Sequence, residues 1–528
     1  MVEYREPHAL RICLLIATAA VIQAWTLRHH EARLPDALRS IQQAEQIAQG
    51  DWRSGVMQGL DHPLHPLGIV AARQIVGGEG PIAWQRAALA VAFGCVILWV
   101  VPLYLLAWEA TDSKAAWLGC LMMAANPLVG QLVVNGLSET TFLLFWTSGL
   151  WAALRFLREG RLRWLSATLG LSVLGYLARP EGLLLPLSLI LVLLILPLHR
   201  STRILWPRWR RAVAALALGS LALAGPFMAI KGGPGTRPAV ARVLGLAPSV
   251  PPDAPEREQP AETGRTPLQI HRDSLSRVVA AVTGVVTPAL LPFALLGVLQ
   301  GGFGDPAQSR RLLFQAILLL AAGVGLVRLH ATGGYCTTRH GLIPGMILVL
   351  QSAGGIHQLM RRISIRGTWL GMATERLVPG TAVWGMIVVL VLGLPRLVET
   401  SIRVPGPFSA YRDAAIWINQ SLPPDEPLLD LTGWALYLSG RDGYGFSEIG
   451  QALADPQTRW ILARGAHLEG DWSDCRTLRR ILEHRRPVAA FPPAPAPGRV
   501  QLLLFDRGGP SSEIPSPVRS EGPLITIR

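Results

Sequence analysis

Residues 183–198 read LLLPLSLILVLLILPL, without one charged side chain. A hydrocarbon core about 30 Å thick is crossed by roughly 20 predominantly apolar residues in a helix. No water is present there to bond backbone amides, so such a stretch must satisfy its own amides as a helix. Similar runs extend outward in both directions: 12–27, 86–108, 116–133, 138–154, 164–178 and 182–198, then 212–230, 276–299, 312–327, 341–359 and 379–394. These predict a polytopic α-helical membrane protein of about eleven spans. The 116–154 pair is short enough to be a tight, re-entrant-looking hairpin. The run at 12–27 is followed by Trp25-Thr26-Leu27-Arg28 rather than a small-residue cleavage site, so it is read as a retained span.

Composition agrees. Half of the 528 residues are hydrophobic and 16% are charged, against roughly a quarter in soluble domains. The net charge of +14 is almost all arginine, and it falls in short loops between spans. No basic stripe or nucleic-acid motif accompanies it, which excludes a nucleic-acid partner and points to membrane lipids. The five cysteines contain no CxxC pair, so neither a zinc framework nor a disulfide framework is expected.

Arginine also orients the chain. Loops 155–163 and 200–211 are arginine-rich, whereas the connections at 135–138 and 179 carry little charge. The positive-inside rule then puts the N-terminus in the cytoplasm of an inner-membrane protein. Segments 28–85, 231–275 and 395–528 fall outside. In the first, Leu34, Leu38, Ile41 and Ala48 predict an amphipathic helix along the membrane surface. A second helix is predicted from Leu64 to Val76, closed by Gly77-Gly78. Residues 246–267 are rich in proline and charge and read as flexible. The division is therefore 1–395 in the membrane and 396–528 as a small extracytoplasmic α/β domain.

The informative charges stand at outer span ends. Asp36 opens the first outer helix, where it can serve as a general base or simply meet the helix dipole. Asp61-His62-Pro63-Leu64-His65-Pro66 can shuttle protons, hold a phosphate or form a turn. His62 and His65 alone offer too few ligands for a dedicated metal site. Glu139, after Ser138, either belongs to a helix cap or faces a polar cavity. Arg179 in Arg179-Pro180-Glu181-Gly182 pairs with Glu181 or another acid, or binds a lipid phosphate. Arg328, His330, Tyr335, Arg339 and His340 converge as cations and an aromatic near one outer connection, suited to phosphate or to snorkelling.

The order of these motifs resembles the GT-C superfamily of polyprenyl-phosphate-sugar-dependent glycosyltransferases over roughly residues 10–395. The likeness is nearest to family 39-like proteins related to protein O-mannosyltransferases and lipid A aminoarabinose transferases. It implies a first-loop acid that activates the acceptor, here Asp36, with Asp61 and His62 beside it as catalytic candidates. Ala37 stands where the family often has a second carboxylate, and His62-Pro63-Leu64 matches a His-Pro-Pro-like segment imperfectly. Substrate-binding roles are implied for His65, Glu139, Arg179, Glu181, Tyr335, Arg339 and His340. The implied donor is a polyprenyl-phosphate-linked sugar, and the acceptor is a hydroxyl of a glycan, lipid or protein. The implied reaction is an inverting displacement at the outer face. No cofactor is called for, and a divalent metal stays open. The alternatives are a transporter or flippase for a lipid-linked or anionic substrate, and a non-catalytic protein presenting its C-terminal domain.

Overall fold

The computed structural model describes residues 8–29, 35–59, 61–198, 206–231, 233, 266–300, 306–333, 336–366, 408–465, 473–492 and 501–508. The described residues form two compact units, one up to residue 366 and one from 408 onward.

In the first unit, apolar length dictates the helices. They are α1 (His8–His29), α2 (Pro35–Ala48), α3 (Leu64–Val76), α4 (Gly80–Ala110), α5 (Ser113–Ala124), α6 (Pro127–Val134) and α7 (Ser138–Glu159). Then come α8 (Leu162–Ala178), α9 (Leu184–Ile195), α10 (Trp206–Ile230), α11 (Pro267–Val285), α12 (Leu291–Gln300), α13 (Pro306–Gly333) and α14 (Leu342–Arg366). Every expected span falls on them except 379–394, which lies outside the described residues, as does most of 246–267. Five described helices are long and apolar enough to cross a membrane, or seven if each of two bent pairs counts as one span.

The bent pairs correct two spans read as continuous. The chain turns by 50° between α5 and α6, and by 82° between α11 and the helix ending at Leu299. Asn126-Pro127 and Thr287-Pro288 stand at the breaks, because a residue before proline is pushed out of helical geometry. The Asn126 side chain caps α6 at Leu128 N, and its amide donates to Val285 O at 3.0 Å. One break therefore satisfies a carbonyl at the other, as hydrocarbon demands.

Small residues set the closest approaches. A Cβ at Gly355 would lie 2.0 Å from Phe293 O, so α12 and α14 touch backbone to backbone. Gly182 closes the α8–α9 hairpin, where a Cβ would sit 2.1 Å from Tyr176 N. Gly182→Ala is expected to cost several kcal/mol, as other overpacked or strained sites do. Size-exclusion profiles and thermal melts check this, with loss of monodisperse protein as the expected outcome.

At the end of the bundle away from α2, buried Glu109 receives Arg158 at 2.9 Å, Arg311 at 3.1 Å and Arg155 at 3.6 Å. This joins α4, α7 and α13 through one carboxylate.

The first outer loop is folded against protein. Ala37, Leu38, Ile41, Ala44 and Ile47 of α2 are buried, and α2 packs on α3. Ala48, expected on the apolar face, is exposed, and Leu34 lies outside the described residues. Thus α2 spends its apolar stripe on α3 and not on lipid.

The second unit carries α15 (Phe408–Ser421), β1 (Leu428–Asp430), α16 (Trp434–Ser439), β2 (Gly443–Tyr444), α17 (Ile449–Ala454), β3 (Trp460–Arg464), α18 (Ser473–Leu482), β4 (Ala489–Phe491) and β5 (Leu502–Asp506). The sheet order is β2-β1-β3-β5-β4, with β1, β2 and β3 parallel and the β5 pairings antiparallel. Buried Asp430 accepts from Thr432 N and Oγ1 and from Ala435 N and Leu436 N, so it ties β1 to α16.

Candidate functional site

Five separated segments bring their charges to one place. Asp36 is in the first turn of α2, and Asp61 lies between α2 and α3. Glu139 is in the first turn of α7. Arg179 and Glu181 stand in the α8–α9 turn, and Arg339 is in the 3₁₀ turn Thr338–Gly341 before α14.

Arg339 pairs with Asp36 and reaches Glu139 at 3.7 Å. Arg179 lies 2.8 Å from Glu139 and 2.8 Å from Glu181. Arg39, absent from the sequence expectations, lies 2.9 Å from Asp36 and 3.8 Å from Asp61. Four carboxylates and three guanidinium groups are thus linked. Glu139 is the buried hub, with a side chain only 5% exposed. Its first-turn position on α7 adds the helix dipole to the two arginines. The cap role considered for Ser138 is not observed: residue 137 is the N-cap, with no side-chain cap bond.

Asp36 is electrostatically mastered by its neighbours. Burial acts to raise its carboxyl, but Arg339, Arg39 and Arg179 outweigh it and hold it below the usual carboxylate range. Burial likewise opposes charge on Arg179, and Glu139, Glu181 and Asp61 overcome it, so its pKa is raised. Both groups stay ionised across neutral pH.

The histidines separate in role. His62 is buried, edge-on to Tyr176 at 4.9 Å and tilted against Phe227 at 5.4 Å. Lys231, at the end of α10, sits 5.8 Å from the Phe227 ring centroid and donates to Gly59 O. It is one of two lysines in the chain, with Lys114, and the sequence reading missed it together with Tyr176. The only sequence signal for Lys231 is a rare residue type at a span end.

His65 corrects an expectation. It is completely buried, with Nδ1 2.9 Å from Thr141 Oγ1 and Nε2 3.0 Å from Gly136 O. Both ring nitrogens are engaged by protein, so none is left for substrate, and the residue fastens α3 to the start of α7. Burial lowers its pKa, outweighing the Gly136 bond and the nearby Glu139 and Asp61 carboxylates. The unfolded chain therefore binds a proton that the folded chain resists, and stability should fall as pH drops below about 6.5. Thermal melts between pH 5 and 8 should show that acid-side loss, and His65→Gln should flatten it.

His340 folds back on Thr337, with Nδ1 2.9 Å from Oγ1. Tyr335 lies outside the described residues. Among the described residues no three His, Cys, Asp or Glu side chains gather as a metal site.

Comparisons with known proteins agree on architecture. The family model described as dolichyl-phosphate-mannose-protein mannosyltransferase matches residues 82–224. No curated protein sequence matches the chain. The Archaeoglobus fulgidus oligosaccharyltransferase tethered with an NVT-containing acceptor peptide superposes with a TM-score of 0.60 at 11% identity, over 89% of this chain and 70% of that one. The AglB oligosaccharyltransferase from the same organism, in complex with an inhibitory peptide and a dolichol-phosphate, gives 0.59 at 11%, over 89% and 71%. ArnT from Cupriavidus metallidurans, bound to undecaprenyl phosphate, gives 0.54 at 15%, over 95% and 99%. The fold is therefore the polytopic GT-C fold.

Proposed function

We propose that this GT-C-fold chain is a membrane glycosyltransferase that moves a sugar from a polyprenyl-phosphate carrier to an acceptor hydroxyl. The observation that carries the reading is the Asp36–Arg339 pair, joined through Glu139 to Arg179. An acid able to take a hydroxyl proton thereby adjoins two cations able to hold a phosphate.

In the proposed step, the acceptor oxygen attacks the anomeric carbon while the carbon–oxygen bond to phosphate breaks on the opposite face. The bonding pair leaves with the phosphate, whose negative charge Arg179 and Arg339 stabilise. The acceptor proton passes to Asp36. One bond forms, one breaks, and the anomeric configuration inverts. Asp61 supports Arg39 and accepts from Ser40 at 3.2 Å. Half-buried Phe227, backed by buried His62 and Tyr176, offers an apolar aromatic face to the first isoprene units, with Lys231 as a further cation. The arginine distribution supports an outer-face location for this end of the bundle, with the N-terminus in the cytoplasm.

Reconstitution tests the reading. Purified full chain in vesicles, given polyprenyl-phosphate sugar and candidate acceptors, should consume donor and release one polyprenyl phosphate per sugar transferred. Intact donor that instead changes leaflets would favour the flippase reading and sink this one.

A further inference from the structure

Arg328 and His330 stand apart from the acid cluster, against α11, with His330 Nδ1 2.9 Å from Ser274 Oγ. A larger set of cations outside the candidate site lies at the other end of α7. That helix starts beside Glu139 and ends at Glu159. At 1.5 Å per residue the rise between them is about 30 Å, the thickness of a hydrocarbon core. Glu159 therefore stands at the opposite membrane face from the acid cluster.

There, ion pairs tie five guanidinium groups to two carboxylates, Glu109 and Glu159. Among the described residues this leaves a surplus of three positive charges. Arg155, Arg158 and Arg311 are committed to the fold, because each reaches buried Glu109. Arg161 and Arg163 are not. Among the described carboxylates each meets only Glu159, at Oε2, at 3.5 and 3.9 Å, and each side chain is 62% exposed. That oxygen already accepts from Trp164 Nε1 at 2.9 Å, and Oε1 has Arg155 at 2.5 Å. Glu159 is thus saturated by nearer partners, and exposed pairs of this kind contribute little. Because both arginines reach one oxygen atom, their guanidinium groups occupy one place.

The residues around them are apolar. Leu162, between the two, is 53% exposed. Trp164 lies 5.1 Å from the Arg163 guanidinium and packs edge-on to Trp151 at 5.1 Å. Tryptophan is the residue of the membrane interface. A free anion would use the cations alone. Guanidinium groups flanked by exposed leucine and tryptophan suit a phosphate that carries acyl chains: the planar fork takes the phosphate oxygens, and the apolar side chains meet hydrocarbon.

We infer that the corner between α7 and α8 binds the phosphate of an anionic phospholipid headgroup through Arg161 and Arg163, with Leu162 and Trp164 against its acyl chains. This inference rests on the membrane-embedded fold and not on the transfer reaction.

The test is native mass spectrometry of the full chain in detergent, with phosphatidylglycerol or phosphatidylcholine added at equal concentration. Wild type should retain phosphatidylglycerol preferentially. Arg161→Gln/Arg163→Gln should weaken that retention by about tenfold or more, the order expected for two cations at an anionic membrane surface. Arg412→Gln/Arg486→Gln, an equal charge change in the second unit, should leave it unaltered. Melting temperatures within a few degrees of wild type check that the variants fold. If the double variant melts early, Arg161→Gln alone is read instead, with a loss of about fivefold expected for one cation. Equal retention of both lipids by wild type overturns the inference, as does unchanged retention in the Arg161/Arg163 variants. Displacement of the lipid by millimolar inorganic phosphate would also overturn it, because the ligand would then be free phosphate. None of these readings requires turnover.

Discussion

Asp36→Asn should lower kcat for sugar transfer by about 10²–10⁴-fold, the usual contribution of a positioned general base. The donor KM should not rise. Asparagine keeps the shape but cannot take the acceptor proton. It also releases Arg339 from a carboxylate, which leaves that cation more available to the donor phosphate. Steady-state kinetics with saturating acceptor measure both quantities. A fully active Asn variant would move the base to Asp61 or Glu139, the other carboxylates tied to the same arginines.

The second large effect concerns Arg339. Arg339→Gln removes a cation from the leaving phosphate and is expected to lower kcat/KM by about 10²–10³-fold, as loss of an electrostatic stabiliser does. It should also move the acid limb of the pH profile. Arg339 is the foremost of the groups lowering the Asp36 pKa. Without it the carboxyl protonates at higher pH, so the limb shifts upward, toward neutrality. In wild type the depressed pKa keeps Asp36 ionised until the pH falls below the ordinary carboxylate value near 3.9. The same coupling gives the ion pair a mechanistic sense. A donor phosphate that draws Arg339 away makes Asp36 more basic at the moment its basicity is used. Arg339→Lys should recover charge but not the two-pronged geometry, so it should restore the pH limb better than the rate.

The helices were legible because bilayer thickness sets a long apolar window, which few other structures require. Their breaks were not, although Pro127 and Pro288 mark them. A hydropathy window averages over a proline whose neighbours remain apolar. Asp36, Glu139, Arg179 and Arg339 were legible because charges at span ends stand out against so little other charge. Arg39 was hidden because an arginine three residues after an aspartate reads as an ordinary helix-surface pair. Tyr176 was hidden inside an apolar run. His65 misled because sequence gives a histidine's position but not the partners of its nitrogens. In the second unit, α15, β1, β3 and β5 follow visible apolar runs. The strands β2 and β4, of two and three residues, are too short to carry an alternating pattern.

The central claim is that a polyprenyl phosphate sits among these particular residues. Photo-crosslinking tests it most directly, using a polyprenyl-phosphate sugar whose first isoprene unit carries a diazirine. The account predicts adducts in peptides containing Tyr176 and Phe227, suppressed by excess unlabelled donor and weakened in Arg179→Gln. Adducts confined to other helices, or insensitive to competing donor, would contradict it.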